Sequence, residues 1–167
     1  LPYKFPTPDE FGNKKVEGIF LGYFFAWDGQ ENAEIAKKNG FKTYDKLVEG
    51  NIVNYENLDN YLMRIHDYFK YLKYGYDRVS DWSSLQIRRG RLSRQDALIL
   101  SKENGGKYPQ EYLGKNIKQI LNYIDMSQNE FDEICYKFTN KKIFQKNTDG
   151  TLKFDNSGNL IKLNYDN

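Results

Sequence analysis

Cysteine and histidine are the scarcest reactive groups in this 167-residue chain, which holds one of each, Cys135 and His66. One cysteine cannot form an intramolecular disulfide, and the pair cannot supply the Cys and His ligands of a zinc site. A catalytic Cys–His pair would require the two side chains to meet by chance. Because Cys135 continues the apolar helical pattern Phe131, Ile134 and Phe138, we predict a buried and unreactive thiol.

Long apolar runs are also missing, since no window reaches the roughly 18 uninterrupted apolar residues of a membrane span. The first six residues, L-P-Y-K-F-P, lack the apolar core of a signal peptide. A surplus of one charge is absent as well, because 25 Lys and Arg oppose 23 Asp and Glu for a net charge of +2. We therefore expect a cytoplasmic protein without a membrane partner, in which any charge-based function is local.

The most apolar part of the chain is the run from Val16 to Ala26, V-E-G-I-F-L-G-Y-F-F-A, which is rich in β-forming residues. Such a run is typical of a strand buried on both faces, as in a parallel sheet. Asp28 then predicts the N-cap of a helix that continues to about Lys38 and is closed by Gly40. One parallel strand has no partner within this chain, so we expect the rest of its sheet to lie elsewhere.

Helical spacing dominates the middle of the chain. The clearest helix carries an apolar stripe of Leu62, Ile65, Phe69, Leu72 and Tyr76. A second stripe beside it carries His66, Lys70, Lys73 and Asp77. Capping and stop signals predict further helices over 79–89, 93–104, 109–124 and 127–138.

After residue 140 the pattern changes to short β segments at 143–146, 151–154 and 160–163, which predict a three-stranded meander. The fold class that we predict is an α/β family, present here as a mainly α-helical fragment. It would hold one buried sheet strand at about 16–26 and a β-meander at about 143–163. Two domains are expected, a mostly helical one over 1–140 and a tail over 141–167.

Positive charge is concentrated in one helical segment, residues 64–94, whose eight basic and three acidic side chains give a net charge of +5. The rest of the chain carries −3. Three interpretations are open. The segment is a solvated helix face, a single-stranded nucleic-acid groove that stacks bases on its tyrosines, or a compact phosphate site.

The order of the residues favours the phosphate site. Lysines that border an apolar stripe can lean into a cleft whose floor is the core, whereas a solvated face has no need of that placement. Three embedded acids, Asp67, Asp77 and Asp81, would repel a nucleic-acid backbone, but they can orient Lys and Arg or hold Mg²⁺ beside phosphates. A helical module that docks a partner protein through residues 109–140 stays an alternative.

Three linked motifs stand in order along the chain: F-L-G-Y-F-F-A-W-D-G from Phe20, I-H-D-Y-F-K-Y-L-K-Y-G-Y-D-R-V-S-D from Ile65 and R-R-G-R-L-S-R-Q-D-A from Arg88. Together they resemble the N-acetyl sugar amidotransferase family of surface-polysaccharide synthesis. Asp77-Arg78-Val79-Ser80, followed by S-L-Q-I-R from Ser84, also looks like a stretch of asparagine-synthetase-type ATP pyrophosphatases of the PP-loop superfamily. Gln86 stands where that stretch usually has Glu.

The resemblance implies an ATP-dependent ligase that requires Mg²⁺. Such an enzyme adenylates the acetamido oxygen of an N-acetyl sugar and releases pyrophosphate. Ammonia from a glutaminase partner then displaces AMP and leaves an acetamidino group. In the family the phosphate loop, S-G-G-x-D-S, lies in the N-terminal half, and it is not in this sequence. The resemblance therefore implies a C-terminal fragment, with residues 1–140 as the C-terminal half of a PP-loop-type α/β domain, and we expect the isolated chain to be inactive. We interpret Asn104-Gly105-Gly106-Lys107 as a helix stop.

Candidate site residues follow from the charge pattern and the resemblance together. We expect Lys73, Arg78, Asp77 and Asp81 to be catalytic and Lys70, Ser80, Arg88, Asp28 and His66 to bind the nucleotide or sugar. Asp77 and Asp81 are the candidate Mg²⁺ ligands. His66 is expected either to hydrogen-bond behind the site or to transfer a proton.

Overall fold

The computed structural model describes residues 4, 7–12, 14–15 and 17–163. It divides into two compact units, Leu1–Phe41 and Lys42–Asn167, and is mainly helical. None of the helices in the described part of the chain has the length and apolar character needed to cross a membrane.

The first unit contains two short 3-10 helices, Pro8–Phe11 and Leu21–Tyr23, and one α-helix, α1, at Gly29–Lys38. α1 confirms the predicted cap, because the Asp28 carboxylate accepts hydrogen bonds from the backbone N–H groups of Gln30, at 2.9 Å, and Glu31, at 3.3 Å. Asp28 is buried.

The predicted buried strand at about 16–26 is wrong for the residues that the structure describes. Val16 lies outside them, and residues 17–26 form no strand. Their large side chains are exposed, as shown by Phe20 at 89% and Tyr23 at 86%. A strand needs a neighbour for its N–H and C=O groups, and without one the chain folds into the local turn at 21–23.

Over residues 42–163, the second unit holds five helices and one two-stranded hairpin. Its elements are α2 (Met63–Tyr74), α3 (Arg78–Arg88), α4 (Arg94–Asn104), β1 (Glu111–Tyr112), β2 (Lys115–Asn116), α5 (Ile117–Asn122) and α6 (Gln128–Phe138). α2, α3, α4 and α6 confirm predicted helices. Gly75 ends α2 in the left-handed conformation, as expected for a glycine at that position.

The helix predicted from Pro109 is wrong in its first half. β1 and β2 pair antiparallel, with Tyr112 opposite Lys115, and Gly114 turns between them at φ +78°. The helix begins only at Ile117, because Asn116 caps it and exchanges hydrogen bonds with Gln119. A capping box inside an apolar run therefore decides where this helix starts.

The main core packs α2, α5 and α6 against the C-terminal β segments. Its buried residues are Tyr68, Tyr71, Leu72, Ile117, Leu121, Phe131, Cys135, Phe144, Leu152 and Leu160. The segments after residue 140 thus share one core with the helices, which is a packing that local patterns do not reveal.

The three predicted β segments are present as single bridges, and they close on one another. Gln145 N–H donates to the carbonyl of Ile161, Ile161 N–H to Lys153, and Lys153 N–H back to Gln145, at 2.8, 3.1 and 2.9 Å. The first segment therefore pairs with the third as well as with the second, which an open meander does not allow. This closure leaves fewer unpaired edge groups and points Phe144 into the core.

Cys135 is expected to resist thiol reagents in the folded chain. Burial raises the pKa of its thiol to about 12, so the reactive thiolate is almost absent at pH 8. Labelling with a chromogenic disulfide at pH 8 should be slow in buffer and fast in denaturant. Equally fast labelling in both would contradict the packing of α6 against α2.

Candidate functional site

Arg78 lies in an ion pair inside the protein. Its Nε and Nη2 atoms contact the two carboxylate oxygens of buried Asp67, at 2.7 and 3.1 Å, and Nη1 lies 3.6 Å from Glu56. The hydrogen bonds and charge of Asp67 outweigh burial, so the pKa of Arg78 is raised. Arg78 therefore joins α2 to α3 through a two-point contact.

Lys70 and Asp81 form a second pair across the same two helices. The ammonium group of Lys70 also lies 4.8 Å from the centre of the Tyr76 ring. Asp81 is half exposed, so this is a surface contact of the kind that contributes about 0–1 kcal/mol.

The remaining predicted residues are dispersed. Lys73 lies over the Phe138 ring at 4.9 Å and so faces α6, while Arg88 is exposed at the end of α3. His66 is exposed, with Nδ1 3.3 Å from an oxygen of Asp67. Asp28 belongs to the first unit, where it caps α1.

Asp77 is the predicted residue with the most central position. It is only 2% exposed and caps α3, where one carboxylate oxygen accepts from the Ser80 backbone N–H at 3.3 Å. The other oxygen accepts from the Gly106 backbone N–H at 2.7 Å. One carboxylate therefore fixes both the start of α3 and the loop at Gly105–Lys107.

Two further side chains hold this loop. Arg64, 2% exposed, donates to the carbonyl of Lys107 and lies 3.3 Å from Glu49. The Tyr71 ring lies against Gly106, so that a Cβ there would come within 2.5 Å of Cζ. The loop is thus held from both sides by buried groups.

A groove opens beside the loop, with a volume of about 1110 Å³. It lies between the start of α3, α4, the Gly105–Lys107 loop and the C-terminal β segments. Its lining includes Asp77, Ser80, Arg94, Ser101, Lys102, Glu103, Gly105, Gly106, Lys107, Asp155, Ser157, Asn159 and Lys162. Of the predicted site residues, the groove brings together Asp77 and Ser80.

The groove favours an anionic ligand. Four basic side chains line it, namely Arg94, Lys102, Lys107 and Lys162. Two of its three acids already accept hydrogen bonds from the chain: Asp77 from Ser80 and Gly106, and Asp155 from the backbone of Ser157 and Asn159. The Nζ atom of Lys162 donates to the carbonyl of Gly75 at 2.7 Å. The four cations outnumber the three acids, of which Glu103 and Asp155 are exposed, so the groove carries a small net positive charge.

Sequence reasoning missed Lys102, Lys107 and Lys162 and dismissed the Gly105–Gly106 pair as a helix stop. The pair does follow α4, but Gly106 also has φ +68° and touches a tyrosine ring. The sequence signal that could have indicated a binding loop here was the pair of adjacent glycines before Lys107. The contribution of Lys162 needed the tertiary fold, because it lies far along the chain.

The structure leaves few exposed aromatic rings in segment 64–94 on which the bases of a nucleic acid could stack. Tyr68, Tyr71 and Trp82 are buried, and only Tyr74 and Tyr76 among the five interleaved aromatic residues are exposed. Successive bases need several exposed rings along one groove.

Magnesium ligation by Asp77 and Asp81 stays a prediction. Across residues 4–163, apart from those the structure leaves undescribed, no group of three or more His, Cys, Asp and Glu could hold a metal ion. Asp77 accepts N–H donors at both oxygens and Asp81 pairs with Lys70. As placed, these residues do not fit a metal ion held by this chain alone.

Gly106→Ala is expected to cost more stability than Gly158→Ala. Both residues have positive φ, at +68° and +80°, but a Cβ at 106 would overlap Tyr71 whereas none of the described atoms lies within 4 Å at 158. We expect about 1 kcal/mol of lost stability at 158 and about 2–4 kcal/mol at 106. Urea unfolding of the two variants measures the difference, and equal losses would contradict the close approach.

A family model described as LPS biosynthesis protein WbpG-like, C-terminal domain, matches residues 38–157. The matched range is most of the chain and includes Asp77, Ser80 and the Gly105–Lys107 loop. No curated protein gives a match to this sequence.

Proposed function

The chain belongs to the LPS biosynthesis protein WbpG-like C-terminal domain family, and from this premise we propose that it is part of an ATP-dependent amidotransferase acting on an N-acetyl sugar. A role in LPS biosynthesis follows from the family itself. The amidotransferase reaction on an N-acetyl sugar is supported by the linked motifs at 20–29, 65–81 and 88–97. The observation that carries it is the basic groove beside the anchored Gly105–Lys107 loop.

The proposed reaction has two steps. In the first, the acetamido oxygen of the sugar bonds to the α-phosphorus of ATP, and the bond from that phosphorus to the pyrophosphate oxygen breaks. In the second, ammonia bonds to the former amide carbon, and the carbon–oxygen bond breaks to release AMP. The product is an acetamidinium group, and the original oxygen leaves on AMP.

Pyrophosphate carries most of the charge in the first step, so the catalyst needs cations around the leaving group. Lys102 and Lys107 line the groove on either side of the Gly105–Gly106 pair, and Arg94 lies at its α4 edge. We assign these three side chains to the phosphate oxygens and the Ser80 hydroxyl to a hydrogen bond with the ligand. No step is assigned to a metal ion.

Asp77 acts as a positioning residue in this scheme. Its carboxylate does not need to touch the ligand, because it already holds the N–H groups of Ser80 and Gly106. By fixing those two backbone groups it sets the distance between α3 and the lysine of the loop. Arg78 has the matching role between α2 and α3 through Asp67.

The proposal is tested in the source cells by replacing the gene for this protein. We expect LPS from cells that lack the chain to retain an acetamido group where wild-type LPS carries an acetamidino group, a difference visible by mass spectrometry. Lys107→Ala should restore the acetamidino sugar poorly. Lys70→Ala, which removes the surface contacts with Asp81 and the Tyr76 ring, should restore it as wild type does.

Two results would oppose this function. One is LPS of unchanged composition in the cells that lack the chain. The other is full restoration by Lys107→Ala together with failure of Lys70→Ala, because this would place the phosphate site on α2. Immunoblots of both variants provide the control for protein level.

A further inference from the structure

A second, smaller cavity lies inside the second unit, apart from the groove that carries the proposed function. We define the ring pocket as this cavity, which has a volume of about 310 Å³ and lies between α2, α6 and the C-terminal β segments. Leu160 lines both the ring pocket and the groove, so the segment that carries it separates the two. The lysines and the arginine assigned above to phosphate line the groove and not the ring pocket.

The walls of the ring pocket are mostly apolar. Its aliphatic part consists of the buried side chains of Leu72, Leu152 and Leu160. Its aromatic part consists of the rings of Tyr68, Tyr108, Tyr136 and Phe154. Tyr136 and Phe154 are about half exposed, whereas Tyr68 is buried, so aromatic side chains line the pocket from the surface to the interior. A further ring in this space would gain edge-to-face contacts in addition to apolar burial.

Tyr68 brings a hydroxyl group without a partner into these apolar surroundings. Its side chain is only 4% exposed and forms no hydrogen bond with any other residue in the part of the chain that the structure describes. Burial raises the pKa of this phenol, so the hydroxyl keeps its proton at neutral pH and can donate it. Buried hydroxyl groups are usually paired with a protein atom, a water molecule or a ligand. Because Tyr68 lines the ring pocket, the missing acceptor is to be sought there.

The charges of the ring pocket disfavour an anionic ligand. Among the described residues that line it, Asp132 alone is charged at neutral pH, and it is exposed at the rim. One oxygen of Asp132 accepts a hydrogen bond from the Tyr108 hydroxyl at 2.7 Å. The lining thus offers an acid and no cation, in contrast to the groove, so a phosphate or a carboxylate would be repelled.

The size of the ring pocket limits the ligand to a small molecule. Its volume is that of roughly ten water molecules in the liquid, which one aromatic ring with a small substituent fills. A sugar ring would set hydroxyl groups against Leu72, Leu152 and Leu160, which cannot bond them. A peptide segment would bring backbone N–H and C=O groups, which need more hydrogen-bond partners than this lining supplies.

We propose that the ring pocket binds a small, uncharged aromatic compound that carries one hydroxyl group. Its ring would lie among the aromatic and leucine side chains, and its oxygen would accept the hydrogen bond of Tyr68. This site goes beyond the proposed amidotransferase chemistry and does not depend on it.

The test uses phenol as the probe and the full chain with carbon-13 in its leucine methyl groups. In nuclear magnetic resonance spectra, phenol should shift the methyl signals of Leu72, Leu152 and Leu160, with a Kd on the order of 1 mM for so small a ligand. Leu98 lines only the groove, so its signals provide the control within the same spectrum. Benzoate, in which a carboxylate replaces the hydroxyl, should bind at least about tenfold more weakly than phenol.

Tyr68→Phe tests the assigned hydrogen bond. We expect this change to weaken the binding of phenol by at least about threefold and to leave the binding of toluene, which has no hydroxyl, unweakened. Thermal unfolding should not fall, because the lost hydroxyl has no partner among the described residues. Tyr74→Phe removes an exposed hydroxyl outside the ring pocket and should change neither affinity.

Four results would overturn the proposal. Two come from the wild-type chain and need no variant: phenol that leaves the three leucine signals unshifted, and benzoate that binds as tightly as phenol. The third is an unchanged affinity for phenol in Tyr68→Phe. The fourth is an equal loss of phenol and toluene binding in that variant, which would assign the effect to the shape of the pocket and not to the hydroxyl.

Discussion

Replacing Arg64 with alanine is expected to lower the free energy of unfolding by about 3–5 kcal/mol. The guanidinium is 2% exposed, faces Glu49 at 3.3 Å and donates to the carbonyl of Lys107. Its removal leaves a partly buried carboxylate without its cation, an unpaired carbonyl and a cavity. Chemical unfolding monitored by circular dichroism measures the loss.

Matched variants separate this effect from a general loss of charge. Arg88→Ala removes the same charge from an exposed position at the end of α3, so it should change stability by less than about 0.5 kcal/mol. Arg64→Lys keeps the charge but loses the planar fork and should fall between the two. A loss below about 1 kcal/mol for Arg64→Ala would show that this guanidinium does not hold the loop.

Asp77→Ala is expected to destabilise the protein by about 2–4 kcal/mol and to abolish ligand binding in the groove. The change removes the cap of α3, worth about 1 kcal/mol, and leaves the buried Gly106 N–H without its acceptor, which costs about 1–3 kcal/mol. The freed loop no longer holds Lys107 at a fixed distance from Ser80. Chemical unfolding curves measure the loss of stability. Titration with pyrophosphate, at a temperature at which the variant is folded, measures ligand binding.

Ser93→Ala is the matched control for this change. Ser93 caps α4 because its hydroxyl oxygen accepts a hydrogen bond from Asp96 N–H at 3.1 Å, and it is exposed at the start of that helix. We expect a loss of about 0.5–1 kcal/mol with intact ligand binding. If both variants lose the same stability and both still bind pyrophosphate, the contact of Asp77 with the Gly105–Lys107 loop has no role in ligand binding.

The helices could be predicted because their signals are local. The stripe Leu72, Phe69 and Ile65 with Gly75 at its end determines α2, and Ser127 with Glu130 determines the start of α6. The prediction of a strand at 16–26 was wrong because strands, unlike helices, depend on contacts that are not local. Strand formation depends on a neighbour, which an apolar composition does not supply.

The site could be predicted only in part. Asp77 and Ser80 were identified from the charge pattern and the Asp77-Arg78-Val79-Ser80 motif, but the contact of Asp77 with Gly106 spans 29 residues. Arg78 was expected to be catalytic, yet it pairs with Asp67, eleven residues earlier. Such contacts depend on how α2, α3 and α4 pack against one another. The spacing of residues within one helix does not predict that packing.

We propose that the groove, rather than the α2 face, is where this chain binds anions. Calorimetric titration with inorganic pyrophosphate tests it in the wild-type chain and in Lys102→Ala, Lys107→Ala and Lys70→Ala. We predict that wild type binds, that each groove variant binds at least about tenfold more weakly, and that Lys70→Ala stays within about twofold. Absence of binding by wild type, or loss in Lys70→Ala with full retention in Lys102→Ala and Lys107→Ala, would contradict the claim.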